Sequence, residues 1–242
     1  QDFDSRLLGQ KDLPGALKLK GPAQAMPHRV VIFDIGGVVI DSPINAIRDF
    51  CQKRQIQDLN RFLFSSQAWA ALERGRLDWK DFPEAVLREC QEQGHDGAQL
   101  GLEGWQALQL AIVEGGGAPR PAMLHAIDRL RQSGFTVAAL TNNFAEGSAA
   151  LGRLPLLFDH FIESSASGMR KPEPRFYEHA LRVIGCEPNE AIFLDDIGKN
   201  LKPAAEMGIF TIHVQNSHSE QHLEALRKLQ GVVGLHLLPS KL

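Results

Sequence analysis

Three aspartates end apolar runs, and their spacing along the chain is the strongest chemical signal in it. Asp195 and Asp196 follow the run at 191–194, and Asp34 follows the run at 30–33 in the same way. Short apolar runs of this kind predict buried strands, and ligands of open α/β sheets bind at the carboxyl ends of the strands. Adjacent carboxylates repel each other unless a cation or protein donors compensate them. If the two strands are neighbours, the three carboxylates converge on one point, which predicts a site for a hard divalent cation such as Mg²⁺.

The elements that position these aspartates are predicted to form a parallel sheet. Hydrophobicity is continuous rather than alternating along the strand candidates, which indicates a sheet covered by helices on both faces. The predicted strands are residues 29–34, 135–141, 158–163, 191–195 and 209–214. Helical segments alternate with the later strands, at residues 121–132, 174–184, 201–207 and 220–229. This alternation predicts right-handed crossovers and a doubly wound, Rossmann-like α/β fold.

The interval between the first two strands is too long for a single crossover, and its periodicity is helical. Helices are predicted at residues 44–53, 62–73, 80–92 and 100–114. We therefore expect an all-helical cap domain at 44–116, inserted into a core domain made of 28–43 and 117–242. Ser42-Pro43 and the glycine-rich stretch at 115–119 are the expected hinges. Residues 1–27, which contain several prolines and glycines, are predicted to form an N-terminal arm.

Bulk properties exclude several classes of partner. A net charge of -3 gives no basic field for nucleic acid, and every apolar run is far shorter than the roughly 20 residues that span a bilayer. Three cysteines without a CxxC motif favour free thiols and a cytoplasmic, reducing location. His213, His218 and His222 cross a strand end and a polar loop, so their spacing does not favour a metal cluster. Nothing in the composition indicates the oligomeric state.

Four motifs follow one another at the carboxyl ends of predicted strands. They read FDIGGV at 33–38, LTNN at 140–143, GMRKPEP at 168–174 and FLDDIGKN at 193–200. In this order they resemble the haloacid dehalogenase (HAD) superfamily of hydrolases, in the branch with a helical cap after the first strand. The third and fourth motifs resemble more narrowly the N-terminal phosphatase-like domain of soluble epoxide hydrolase. The resemblance runs from about residue 29 to the end, and the epoxide-opening domain has no counterpart here.

The resemblance implies a Mg²⁺-dependent phosphatase that acts on a small phosphorylated molecule. Asp34 would attack phosphorus and form an aspartyl-phosphate. The metal would be held by Asp34, the backbone carbonyl of Gly36 and Asp196, while Asn200 helps to hold the metal's waters. These assignments are what the resemblance implies for these four residues.

The remaining site residues implied by the resemblance surround the phosphate. The Thr141 hydroxyl and the Asn142 amide would donate to the phosphoryl oxygens. Lys171 would pair with both the nucleophile and the phosphate, as a point charge. Asp195 would be a carboxylate that orients waters or Lys171.

Gly36 is a departure from the family pattern. Phosphatases of this superfamily usually have a second aspartate there, which protonates the leaving oxygen and then activates water. General acid–base help of this kind is worth about 10²–10⁴-fold in rate, or about 3–5 kcal/mol. Three outcomes are open. In the first, the substrate has a leaving group that barely needs a proton, such as an anomeric sugar phosphate or an acyl phosphate. In the second, a residue of the cap supplies the proton. In the third, the fold is catalytically silent and serves as a binding module. Activity is therefore expected to be weak or restricted to good leaving groups.

The cap offers candidates for proton transfer and substrate binding. Glu73 is the candidate proton donor if its turn faces the strand ends, and an exposed helix-end carboxylate is the competing interpretation. Arg74 is predicted with it as a substrate-binding residue, and Arg76, Trp69 and Trp105 could also contact a substrate body. Tryptophans in a small helical bundle are more often core residues. Dehalogenation, the other reaction of the superfamily, needs no Mg²⁺ and would leave the acidic pair uncompensated, so it is less favoured.

Overall fold

The structure is a computed structural model that describes residues 28–57, 59–115, 117–215 and 220–239. The predicted N-terminal arm at 1–27 and His218 lie outside the described residues. In the ranges that are described, no helix has the length and apolar character needed to cross a membrane.

Five parallel strands form one sheet, as predicted. They are β1 (Val30–Phe33), β2 (Thr136–Thr141), β3 (His160–Glu163), β4 (Ala191–Asp195) and β5 (Phe210–His213), in the order β3-β2-β1-β4-β5. The register pairs Phe33 of β1 with Leu194 of β4. Because the two strands are neighbours and run in the same direction, Asp34, which follows β1, and Asp195, the last residue of β4, lie at the same edge of the sheet. The strand limits differ from the predicted ones by at most two residues.

The interval between β1 and β2 folds into helices. They are α1 (Pro43–Arg54), α2 (Leu59–Ser65), α3 (Gln67–Glu73), α4 (Phe82–Gln93) and α5 (Gly101–Glu114), and together they are called the cap below. The cap helices enclose an apolar cluster, joined by Phe144 of the core, in which Phe82 and Trp105 are fully buried. Trp105 is therefore a core residue, and its indole N–H donates to the Gly97 carbonyl over 3.1 Å. This separate cluster supports the predicted cap domain, whose limits stay a prediction.

One predicted helix, at residues 62–73, is wrong because Ser66 divides it into α2 and α3. The Ser66 hydroxyl accepts from the backbone N–H of Trp69 over 3.1 Å, so Ser66 is the N-cap of α3. The same hydroxyl donates to Glu89 Oε2 over 2.7 Å, and Glu89 also accepts from the backbone N–H groups of Gln67 and Ala68. Four donors at a helix start lack partners within the helix. A carboxylate from α4 satisfies part of this set, and nothing in the local periodicity signals it.

The core helices cover both faces of the sheet. They are α6 (Pro121–Gln132), α7 (Ala145–Ala150), α8 (Ser164–Ser167), α9 (Pro174–Ile184), α10 (Gly198–Glu206) and α11 (Gln221–Val233). Val31 and Phe33 pack with α6 and α11 on one face, while Val30 and Ile32 pack with α9 and α10 on the other. Successive strand residues point to opposite faces, so a strand that is apolar throughout needs both layers. This confirms the doubly wound fold; α7 and α8 were not predicted, since their small polar residues show no periodicity.

The two connections between cap and core lie side by side. Ile40 pairs with Pro119, and the backbone N–H of Arg120 donates to the Val39 carbonyl over 2.8 Å. The Arg120 guanidinium donates to the Gly37 carbonyl over 2.8 Å and to Asp41 Oδ1 over 3.1 Å. The segment just before the predicted hinge at Ser42-Pro43 is therefore joined to the end of the second predicted hinge at Pro119.

Candidate active site

Three carboxylates converge where β1 and β4 end. Asp34, Asp195 and Asp196 each offer one oxygen, and these oxygens all lie within 4.8 Å of one another. Asp34 and Asp195 are buried, at 6% and 0% exposure. Such a concentration of negative charge away from water is costly unless cations compensate it.

Lys171 supplies one of these cations. Its side chain is 1% exposed, and Nζ lies 2.8 Å from Asp34 Oδ1 and 2.7 Å from Asp195 Oδ2. Burial raises the pKa of Asp34 well above its ordinary value, and the Lys171 ammonium opposes that shift. Burial alone would lower the pKa of Lys171, but the charges of Asp195 and Asp34 outweigh it and raise that pKa. The Lys171 ammonium thus compensates only part of the negative charge.

The residues present fit a divalent cation. Three carboxyl groups surround a single ammonium at the centre of the site, so acidic groups are in excess there. Carboxylate oxygens within a few ångströms of one another are the hard ligands that Mg²⁺ prefers. The donor set therefore suits Mg²⁺ in both charge and chemistry.

Asp195 is held by several donors at once. Asn200 Nδ2 donates to both of its oxygens, over 3.2 and 3.1 Å, and the backbone N–H of Ile197 donates to Oδ1 over 2.7 Å. Asn200, which was expected to hold the waters of the metal, thus directs its amide to Asp195. Tyr177 donates to the Asn200 carbonyl over 2.7 Å. The sequence marks Tyr177 only as a buried position of α9, so this support was missed.

Asn142 orients the backbone of Lys171. Its Nδ2 donates to the Lys171 carbonyl over 3.0 Å, and its Oδ1 accepts from the Lys171 N–H over 2.8 Å. The side-chain amide of Asn142 is thus directed to the backbone of Lys171. Thr141 is 3% exposed, and it lines the adjoining cavity together with Asn142.

A cavity of about 500 Å³ opens above the carboxylates, between the cap and the strand ends. Its floor contains Asp34, Gly36, Thr141, Lys171 and Asp196. The walls present mainly apolar surface, from Ile44, Ile47, Leu63, Phe64, Trp69 and Phe144. They also carry polar side chains, among them Asn60, Arg61, Asn143 and Lys199. A polar floor below apolar walls suits a molecule with a charged head and an apolar body.

Glu73 lies in this cavity wall and is 7% exposed, so the exposed interpretation of its side chain is wrong. Its Oε2 lies 2.6 Å from Arg170 Nη2. Burial raises the pKa of Glu73 above its ordinary value, although the Arg170 charge opposes the shift. Arg74, in contrast, is not among the described residues that line the cavity, and its guanidinium pairs with Glu173.

Gly36 does not owe its identity to backbone conformation. Gly37 has a φ of 82°, in the left-handed region that favours glycine, whereas Gly36 is not among the described glycines with positive φ. An aspartate at position 36 would therefore meet no φ penalty.

At the neighbouring strand end, His213 Nε2 lies 2.9 Å from the backbone carbonyl of Asp196.

A family model described as haloacid dehalogenase-like hydrolase matches residues 28–208. The chain belongs to this family. The match covers β1 to α10, and so includes the cap and all four motifs that carried the resemblance.

Individual relatives agree with the family. Bifunctional epoxide hydrolase 2 of Sus scrofa is 42% identical over 125 residues, which are 49% of this chain and 22% of that protein. This bears out the resemblance to soluble epoxide hydrolase. Sesquiterpene phosphatase astK of Aspergillus oryzae is 31% identical over 193 residues, or 78% of this chain and 91% of that protein. This chain spans about a fifth of the length of several curated relatives that it matches.

A solved structure shares the fold. It is the HAD family enzyme bt-2542 from Bacteroides thetaiotaomicron, in complex with magnesium and inorganic phosphate, with a TM-score of 0.60 and 21% identity. The alignment covers 81% of this chain and 98% of that chain. The chain therefore shares its overall fold with a known HAD enzyme.

Proposed function

We propose that this protein is a Mg²⁺-dependent phosphatase that hydrolyses a phosphomonoester with an apolar body through an aspartyl-phosphate on Asp34. One observation carries the proposal: the Asp34 carboxylate lies beside Lys171 and Asp196 on the floor of a cavity with apolar walls. Two relatives add support. The name of astK describes a phosphatase of sesquiterpenes, and bt-2542 was crystallised with magnesium and inorganic phosphate.

Asp34 is arranged to act as a nucleophile. Within the described residues, Oδ1 is bonded to Lys171 Nζ and to the backbone N–H of Ile35, the latter over 2.7 Å. These two donors fix the carboxylate and leave Oδ2 to attack phosphorus. A bond then forms between Oδ2 and phosphorus, the bond from phosphorus to the ester oxygen breaks, and the alcohol leaves. Water next attacks phosphorus and gives a proton to the Glu73 carboxylate that the first step has left deprotonated. The bond between phosphorus and Oδ2 breaks, which releases phosphate and restores the Asp34 carboxylate.

Charge compensation is the second requirement of phosphoryl transfer. Lys171 brings a positive charge to the nucleophile, and the Thr141 hydroxyl and the backbone N–H of Asn142 are the proposed donors to the phosphoryl oxygens. Asp34, Asp196 and the Gly36 carbonyl would hold Mg²⁺, which supplies neutralisation of the phosphoryl oxygens when bound.

The proton for the leaving oxygen is assigned to Glu73. Gly36 has no acidic group to offer, and Glu73 is a carboxyl in the cavity wall on the cap side. Because burial raises its pKa, a protonated form is accessible closer to neutrality than for an exposed glutamate. The Arg170 charge nearby limits this fraction, which agrees with slow turnover or with a preference for good leaving groups.

The apolar walls define the substrate class. A buried methylene is worth about 0.8 kcal/mol, which corresponds to about a 4-fold gain in kcat/KM for each methylene that enters the cavity. A sugar phosphate would instead place hydroxyl groups against Ile44, Leu63 and Trp69, where they find no hydrogen-bond partner. Only the polar part of the wall, such as Asn60, Arg61 and Asn143, could satisfy them.

The test is a series of linear alkyl monophosphates of increasing length, with glycerol phosphate and glucose phosphate as polar comparators. Phosphate release is measured with Mg²⁺ and with a chelator, and Asp34→Asn is the blank. The proposal predicts release that needs Mg²⁺, rises with chain length and disappears in the Asp34→Asn variant. Equal rates for the parent and Asp34→Asn would refute the catalytic claim. A flat chain-length series would refute the apolar substrate class alone.

A further inference from the structure

A short turn at the end of α3 joins the cap to the stretch of core that carries Lys171. The turn consists of residues 73–75 and is called the docking turn; residues 170–173 are called the lysine segment. Glu73 Oε2 lies 2.6 Å from Arg170 Nη2, and the neighbouring Arg74 pairs with Glu173. Two ion pairs therefore join the cap to the core. Glu73 binds Arg170 at one end of the lysine segment, and Arg74 binds Glu173 at the other end.

The docking turn also presses on the core backbone. Gly75 has a φ of 64°, and a Cβ atom there would lie 2.6 Å from the Ser165 carbonyl oxygen. The turn can therefore approach α8 only as glycine. The ion pairs beside it are largely shielded, because the four charged side chains are between 9% and 23% exposed. Pairs of this kind are screened less by solvent than ordinary surface pairs.

The lysine segment is held from the core side as well. Asn142 binds both the N–H and the carbonyl of Lys171, and Nζ lies between Asp34 and Asp195. The core therefore fixes the middle of the segment, and the docking turn fixes its two ends.

We propose that Arg74 is a positioning residue: its ion pair with Glu173 holds the lysine segment so that the Lys171 ammonium reaches Asp34 when the cap is docked. The inference rests on the proposed function, and it adds a coupling between cap closure and phosphoryl transfer. Arg74 is not among the described residues of the cavity wall, so its removal lowers kcat and leaves KM nearly unchanged. A substrate-binding arginine would show the opposite pattern.

The first experiment measures position without activity. Amide hydrogen exchange is followed in the peptide that spans residues 168–176, for the parent, Arg74→Ala, Arg74→Lys and Arg76→Ala. Arg76 is the matched control, because it is an exposed arginine two residues further along the cap. Exchange in this peptide is expected to rise in Arg74→Ala, to rise less in Arg74→Lys and to stay at the parent level in Arg76→Ala. Unchanged exchange in Arg74→Ala would overturn the proposal.

The second experiment asks whether Arg74 acts through Glu173. A cycle of Arg74→Ala, Glu173→Ala and the double variant is needed, because Glu173 also accepts from Arg175 over 2.6 Å. Arg74→Ala is expected to lower kcat by about 10-fold in the parent, as small misplacements of catalytic groups do, and to have little further effect in Glu173→Ala. If Arg74→Ala lowers kcat equally in the parent and in Glu173→Ala, or changes KM alone, the coupling is contradicted. If the parent releases no phosphate from any substrate, the proposed function fails, and the exchange experiment still decides the role of Arg74.

Discussion

Replacing Lys171 with methionine tests how the buried charges of the site are balanced. The side chain is 1% exposed, and its ammonium contacts Asp34 over 2.8 Å and Asp195 over 2.7 Å. Methionine keeps most of the volume and removes the charge. Removing one partner of a buried ion pair costs about 3–5 kcal/mol, since the other charge stays buried and uncompensated. A domain of this size loses about 2–4 °C in melting temperature per kcal/mol, so we expect a decrease of about 6–20 °C.

The pH dependence of that loss has a definite sign. Burial already raises the pKa of Asp34, and loss of the ammonium removes the group that opposes this shift. A carboxyl whose pKa is higher in the folded state than in the unfolded state stabilises the protein at low pH. That contribution to the free energy of unfolding is lost as the pH rises through the folded pKa. The stability that Lys171→Met loses relative to the parent should therefore be largest near neutral pH. The loss should be smaller in mild acid, where the carboxyls are protonated.

The assay is thermal unfolding followed by circular dichroism in the presence of a chelator, at neutral and at mildly acidic pH. Lys202→Met is the matched control, because the Lys202 side chain is 79% exposed. Added Mg²⁺ should restore part of the lost stability, since a cation at the carboxylates replaces some of the missing charge. If Lys171→Met without metal unfolds within about 2 °C of the parent, the charge balance described for the site is wrong.

Three further predictions follow from the described contacts. Burial would raise the pKa of Glu89, but its donors from α3 and Ser66 lower it overall. Glu89→Gln should therefore lower the free energy of unfolding by about 1 kcal/mol near neutral pH, and by progressively less as the pH falls through the folded pKa of Glu89. Urea unfolding measures this loss, with Glu92→Gln, at an exposed position, as the control. Gly36→Asp should increase turnover of alkyl phosphates, relative to aryl phosphates with good leaving groups, by at least about 10-fold; no change in this ratio would mean that proton transfer does not limit the reaction. Phe64→Ala, at the cavity wall and 42% exposed, should raise KM for long-chain substrates by about 5-fold without affecting short ones. Leu156→Ala, at a residue that is 70% exposed and outside the described cavity wall, should change neither.

The sequence predicted the features that depend on local pattern. Continuous apolar runs identified all five strands, and their alternation with helices gave the doubly wound sheet that brings Asp34 and Asp195 together. The convergence of the three aspartates was predicted on the condition that β1 and β4 are neighbours, and the strand order confirms that condition. These features are readable because burial on both faces of a parallel strand leaves a direct mark on its composition.

Features that depend on contacts between distant residues were not readable. The break at Ser66 needs Glu89 from another helix, and the direction of the Asn142 amide depends on the backbone of Lys171. The burial of Glu73 and the pairing of Arg74 both depend on where the cap rests on the core. In each case the residue type allows several partners, and only the tertiary packing selects one.

The central claim is that Asp34 becomes phosphorylated during turnover. The direct measurement is an acid quench of the Mg²⁺ enzyme during the reaction with an alkyl monophosphate, followed by peptide mass analysis. The account predicts one added phosphoryl group on the peptide that contains Asp34, absent from Asp34→Asn and lost on longer incubation as free phosphate is formed. Steady release of phosphate with no phosphoryl group on that peptide at any time, or with the group on another residue, would contradict it.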